Sequence, residues 1–197
     1  MSWANFLFCC LYSDSMRFFI LCLILLLSSV VHAQKNAEII HNIRKEFRAI
    51  NNIKNFETLE LENEEFLANA ADGGAKLTGY YKNNSLRKMV VSVGLSNGME
   101  TLEFYFLKGK LIFVYEKFEG FVFNEKKSEF DYTKTETTFE GRYYFDKGKL
   151  VDYITTGHNR FDDDSLDPGK VWLEEAADYI KLLNKKKAQA RRTNSTD

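Results

Sequence analysis

Three segments of the sequence align without gaps: Tyr80-Tyr81-Lys82-Asn83-Asn84-Ser85-Leu86, Tyr105-Phe106-Leu107-Lys108-Gly109-Lys110-Leu111 and Tyr144-Phe145-Asp146-Lys147-Gly148-Lys149-Leu150. Each reads as a strand, a two-residue turn and a return strand. Asn-Asn and Lys-Gly supply residues that tolerate positive φ, as a tight hairpin turn requires. Loop length then sets register. With Lys108-Gly109 as the turn, the spacing pairs Phe106 with Leu111, Phe104 with Phe113 and Leu102 with Tyr115, a wholly apolar face that belongs in a core. The same register pairs Tyr81 with Leu86 and Phe145 with Leu150 on the buried side. Alternation along a strand turns Tyr80, Tyr105 and Tyr144 to the opposite face.

Helical periodicity frames this strand region. Ile39, Ile43, Phe47 and Ile50 recur every three or four residues, with Arg44, Lys45, Glu46 and Arg48 between them, so one apolar stripe lies on a solvated helix that ends near Asn51-Asn52. A short strand around 58–61 and a helical turn or two at 64–71 follow, and Asp72-Gly73-Gly74 then opens a run of five or more strands. Asp167-Pro168 reads as a helix cap and first helical residue. Val171, Trp172, Ala176, Tyr179, Ile180 and Leu183 form the stripe of a final helix. The stripe is lost over 185–197, where a basic, polar, disordered tail is expected. The pattern predicts a single α+β domain over 34–184: a meandering antiparallel β-sheet of hairpins flanked by an N-terminal and a C-terminal helix.

Ahead of that domain, Arg17 precedes an unbroken apolar run from Phe18 to Leu27, and Val31-His32-Ala33 places small residues before a cleavage point between Ala33 and Gln34. This is the pattern of a Sec-type signal peptide. An apolar run of about ten residues is too short for a bilayer, which needs roughly 20. Residues 1–33 therefore read as leader and signal, with Met16 as the candidate true start, and the mature protein is expected to be periplasmic or secreted with no transmembrane span. All three cysteines, Cys9, Cys10 and Cys22, fall in the leader. The mature chain thus has no thiol for a disulfide, a nucleophile or a metal–sulfur site, and its stability must come from a core. An aromatic content of 15% with a single proline favours an ordered, sheet-rich body. A net charge of −1, with both signs spread along the chain, gives no electrostatic reason to bind nucleic acid.

The strings Asp72-Gly73-Gly74, Leu77-Thr78-Gly79-Tyr80-Tyr81, Gly94-Leu95-Ser96, Glu103-Phe104-Tyr105-Phe106, Gly109-Lys110-Leu111-Ile112-Phe113-Val114-Tyr115 and Gly141-Arg142-Tyr143-Tyr144-Phe145 resemble an uncharacterised family of exported Gram-negative bacterial proteins. The resemblance spans nearly all of the mature chain and implies the compartment and the fold. It implies no catalytic residue, because that family has no established activity. Phe104 stands where the family tends to have Tyr. A lesser likeness is to the hairpin repeats of MORN and YwqK-type proteins, carried by Glu140-Gly141-Arg142-Tyr143-Tyr144-Phe145-Asp146-Lys147-Gly148-Lys149-Leu150. Repeats of that kind keep a fixed period, whereas the copies here are unevenly spaced, which points to shared hairpin physics more than kinship.

Chemistry-bearing motifs are few. The mature chain offers only His41 and His158 as imidazole bases, with no Gly-x-Ser-x-Gly elbow and no phosphate-cradling glycine loop, so no catalytic residue and no cofactor are assigned. Asp162, Asp164 and Asp167, with His158 upstream, could offer oxygen ligands to Ca²⁺. Their spacing is not that of an EF-hand, and Asp167 already serves as a helix cap. Tyr80, Tyr105 and Tyr144 would form a band on one sheet face beside Arg87 and Arg142, suited to stacking on a sugar, a peptide or another planar group. The competing reading is that a terminal helix covers the band; Ile112 and Val151, placed opposite Tyr105 and Tyr144, favour it. The leading expectation is a non-catalytic binding module for a peptide, glycan or protein ligand. One rival is an envelope hydrolase using carboxylates among Glu100, Glu103, Glu116 and Asp152. Another is a structural envelope protein whose basic Lys185-Lys186-Lys187 and Arg191-Arg192 meet anionic surfaces. Mass spectrometry of the exported protein is expected to find Gln34 at the amino terminus; a product retaining Phe18 to Leu27 would overturn the signal reading.

Overall fold

The computed structural model describes residues 34–158, 160–162 and 165–193. The chain divides into two compact units, Met1–His41 and Asn42–Asp197. In the first, residues 34–41 are helical, the opening of helix α1 (34–51); the signal run and Ala33 lie outside the described residues. The second holds the rest of α1 and all other elements. These are β1 (Glu57–Glu62), a 3₁₀ turn (Asn63–Glu65), β2 (Ala75–Lys82), β3 (Ser85–Leu95), β4 (Gly98–Leu107), β5 (Lys110–Asn124), β6 (Glu129–Asp146), β7 (Lys149–Thr156) and α2 (Pro168–Thr193). The seven strands form one antiparallel sheet in sequential order, each joined to the next as a hairpin. The fold is α+β. Among the described residues no helix is long and apolar enough to cross a membrane.

The repeated segments are three hairpin tips of one design. Both central residues of each turn have positive φ: Asn83 and Asn84 at 50° and 62°, Lys108 and Gly109 at 51° and 75°, Lys147 and Gly148 at 51° and 76°. That is the primed turn whose twist matches the strands it joins. The first pairs are Tyr81 with Leu86, Phe106 with Leu111 and Phe145 with Leu150. Directly after them one residue of the return strand is skipped: Tyr80 pairs with Lys88, Tyr105 with Phe113 and Tyr144 with Asp152. Arg87, Ile112 and Val151 are therefore bulged.

This bulge corrects the register expected from turn length alone. Phe104 faces Val114 and Leu102 faces Glu116, in place of Phe113 and Tyr115, while Ile112 and Val151 do not stand opposite Tyr105 and Tyr144. One extra residue on the return strand exchanges the two faces beyond it. Phe113 and Tyr115 thereby join the tyrosine face, and Glu116 is carried into the core.

Both faces of the central strands are covered. On one, Leu77, Met89, Val91, Leu102, Phe104, Val114 and Tyr143 pack against Trp172, Ala176 and Leu183 of α2. The Trp172 ring meets those of Phe104 at 5.8 Å and Tyr143 at 5.2 Å. Strand neighbours of these residues, Tyr105 and Tyr144, are equally buried on the other face, beneath the Ile43, Phe47 and Ile50 side of α1. Double coverage explains why Phe104-Tyr105-Phe106 and Tyr143-Tyr144-Phe145 are unbroken aromatic runs where a half-exposed strand would alternate.

Asp167 caps α2, its Oδ1 accepting from the backbone N–H groups of Gly169 at 2.8 Å and Lys170 at 3.3 Å. The helix extends well beyond the expected boundary at 184, through the lysine cluster to Thr193. Lys186 pairs with Glu65, and Lys187 donates to Asn84 at 2.7 Å and lies over the Tyr81 ring at 4.3 Å. These contacts tie to the sheet a segment whose own sequence has lost its apolar stripe. Past Gly120 the β5–β6 hairpin leaves β4 and continues as a two-stranded arm, where Phe121 meets Tyr132 at 5.0 Å and Phe123 meets Phe130 at 5.3 Å.

A Cβ at Gly109 would meet nothing within 4 Å, so substitution there acts through the backbone alone. Gly109→Val is expected to lower stability by roughly 1–2 kcal/mol, whereas Lys108→Asn, which suits the left-handed region better, should raise it by a few tenths. Urea unfolding of both variants checks this pair of opposite signs.

Candidate functional site

The face beneath α1 carries a row of side chains across the sheet. Cross-strand pairing runs from Tyr80 to Lys88, Tyr105, Phe113, Tyr144 and Asp152. The three tyrosines thus share a row, with Lys88 and Phe113 interleaved. Rings along it are in contact: Tyr105 to Phe113 at 5.7 Å and Phe113 to Tyr144 at 5.1 Å. Phe47 of α1 closes on Tyr105 at 4.8 Å and on Phe113 at 5.3 Å. Tyr105 is fully buried and Tyr144 is 2% exposed, while Tyr80 is half-buried against Phe56. The open tyrosine surface does not form, because α1 lies on two of its three members.

The helix is held by polar contacts at the edges of this ring layer. Arg87, the bulged residue of the first hairpin, pairs with Glu46 at 2.8 Å. Asn51 bonds the Tyr105 hydroxyl at 3.2 Å, and that hydroxyl also donates to Glu103. Burial first, and then the bond to Glu103, raises the Tyr105 hydroxyl far above the ordinary phenol range, so it stays protonated. Arg44 donates to the Tyr144 hydroxyl at 3.3 Å and lies 5.4 Å from its ring centre.

Between α1 and strands β4–β6 a cleft of about 350 Å³ remains open. Ile43, Phe47, Phe113, Tyr115 and Tyr144 supply its apolar and aromatic wall; Arg44, Arg48, Arg142 and Glu103 supply its charge. Arg142 lies 5.4 Å from the Tyr115 ring centre and pairs with Glu140 at 2.8 Å. Tyr115 donates to the same carboxylate at 2.6 Å. Bonds from Tyr115 and Arg142 pull the Glu140 carboxyl below its usual range, while burial and that carboxylate push the Tyr115 hydroxyl up to about 12. Glu103 is matched by Lys88 at 3.0 Å and by the Tyr105 hydroxyl. Of the residues proposed from sequence, Arg142 and Tyr144 line this cleft, whereas Tyr80, Tyr105 and Arg87 stand outside the lining. Arg44, Arg48 and Phe113 were missed. Their signal was the pair of arginines one turn apart beside the apolar stripe of α1, whose position over the sheet only docking reveals.

The carboxylates of the hydrolase reading separate onto two faces. Glu103 and Asp152 belong to the α1 side. Glu100 and Glu116 share the α2 side as diagonal neighbours across β4 and β5, since Leu102 faces Glu116 and Glu100 faces Phe118. Glu116 is 4% exposed and accepts a hydrogen bond from the Tyr143 hydroxyl at 3.0 Å. Gly141, cross-strand from Glu116, leaves room for the Tyr143 ring to fold back over it. Arg160 lies over Trp172 at 4.5 Å and pairs with Glu175 at 2.6 Å, close enough in charge to favour ionised Glu116. Burial outweighs both helpers and pushes the Glu116 carboxyl up to about 7; it also raises Glu100. A general acid with that pKa would be well poised, but a substrate has no approach to a side chain this enclosed.

Of the candidate Ca²⁺ ligands, Asp164 lies outside the described residues. Asp167 caps α2, and Asp162 sits 2.7 Å from Nδ1 of His158. No group of three metal-ligating side chains occurs among the described residues.

Because Glu116 holds its proton more tightly in the folded chain than in the unfolded one, stability should fall as pH rises from about 4.5 to about 7, by up to about 3 kcal/mol. Glu116→Gln keeps an acceptor for Tyr143 and should abolish that slope, leaving the variant more stable than the parent at pH 8; chemical denaturation across this pH range measures it. No protein-family model, curated protein or solved structure matches the chain, so its function is argued from the two sites just described.

Proposed function

We propose that the chain is an exported, non-catalytic binding module of the periplasm or extracellular space, and that it works through the cleft between α1 and strands β4–β6. One observation carries this reading: an aromatic-walled cavity of about 350 Å³ edged by three guanidinium groups, at the small end of the roughly 300–1,000 Å³ typical of ligand sites. It combines a large apolar wall with a few charged groups at its edge, as sites for small organic ligands do. The resemblance to exported bacterial proteins and the signal pattern support the compartment. Enclosure of Glu116, together with the separation of the other carboxylates onto two faces, weighs against the hydrolase reading.

A fragment screen followed by protein-detected NMR tests the proposal. Shifts are expected to cluster on Arg48, Tyr115, Arg142 and Tyr144, and a double variant Arg142→Ala, Tyr144→Phe should lose binding while its thermal midpoint stays within a few degrees of the parent. Hits that map elsewhere, or turnover of a bound compound that disappears in Glu116→Gln, would overturn it.

A further inference from the structure

We infer that the ligand of this cleft is a small organic carboxylate with an apolar, preferably aromatic body. The inference rests on the binding-module reading and narrows it to a chemical class.

Charge bookkeeping at the cleft decides the sign of the ligand. Its lining presents the guanidinium groups of Arg44, Arg48 and Arg142 against the single carboxylate of Glu103. Glu103 is already matched by the Lys88 ammonium at 3.0 Å and by a hydrogen bond from Tyr105, so it has little left to offer a cation. Arg142 is neutralised by Glu140, whose other oxygen takes the Tyr115 hydroxyl. Arg44 spends its donors on a neutral partner, the Tyr144 hydroxyl, and keeps its charge. Arg48 forms no ion pair among the described residues. The edge-strand Asp152, cross-strand from Tyr144, lies outside the lining. Two positive charges therefore remain unbalanced at the rim, one turn apart on α1, above a floor of rings. A guanidinium binds a carboxylate with parallel hydrogen bonds and a fixed orientation, and the floor can accept only what water rejects. A ligand that satisfies both is an anion at one end and apolar at the other. The cavity is large enough for a bicyclic ring and too small for a folded polypeptide segment.

The test uses three probes of one shape and different charge: naphthoate, naphthamide and naphthylmethylammonium, titrated calorimetrically into the full mature protein at pH 7. Naphthoate is expected to bind about tenfold more tightly than naphthamide, and the ammonium compound not at all. Arg48→Gln should reduce that preference, and the double variant Arg44→Gln, Arg48→Gln should remove it, bringing naphthoate down to the affinity of naphthamide. If naphthamide or the ammonium compound binds as well as naphthoate, or the preference survives the double variant Arg44→Gln, Arg48→Gln, the anion assignment falls while a binding cleft stands. If none of the three binds and no fragment shifts Tyr115 or Tyr144 in the NMR screen, the cleft reading itself falls with it.

Discussion

A single extra residue behind each tight turn organises this molecule. The two-residue turn brings an aromatic side chain opposite a leucine, and the bulge that follows reverses the faces of everything beyond it on the return strand. In the β4–β5 hairpin this sends Phe113 and Tyr115 to the α1 side and Val114 and Glu116 to the α2 side. Had the strands paired without it, Phe113 could not bridge Tyr105 and Tyr144, and the ring layer on which α1 sits would be broken in the middle. The same device recurs at three tips at the same end of the sheet, where a bulge increases the local twist of a strand pair.

The two faces use aromatic residues differently. On the α2 side, Phe104, Tyr143 and Trp172 form a closed cluster in which the buried carboxylate of Glu116 is tolerated because Tyr143 donates to it and Arg160 stands near. Its raised pKa records the price of that position. On the α1 side, the hydroxyls of Tyr105, Tyr115 and Tyr144 each reach a polar group at the margin, so the rings pack into the layer while their oxygens stay in a network of Arg44, Asn51, Glu103 and Glu140. The first arrangement shuts its polar atoms away; the second keeps them at a rim, beside a space that remains unfilled. Function is argued from the second for that reason.

Much of the fold is legible in the sequence. Asn83-Asn84, Lys108-Gly109 and Lys147-Gly148 fix turns locally, and the Ile43-Phe47-Ile50 and Trp172-Ala176-Leu183 stripes declare helices with one apolar side. The site was half legible. Arg142 and Tyr144 could be proposed because they lie in a repeat, whereas Arg44 and Arg48 looked like ordinary solvated positions between apolar ones. The path of α2 beyond 184 was illegible for a similar reason: Lys186 and Lys187 are held by Glu65, Asn84 and Tyr81, partners remote in sequence.

The sequence by itself determined the element order, the α+β class and the turn geometry, since backbone preference and side-chain period act between neighbours along the chain. Tertiary structure alone decided the bulges, the burial of Tyr105 and Tyr144, the enclosure of Glu116 and the existence of the cleft. Each depends on how a strand or helix settles against a surface built by residues far away, and packing of that kind selects among registers that local preferences leave nearly equal in energy.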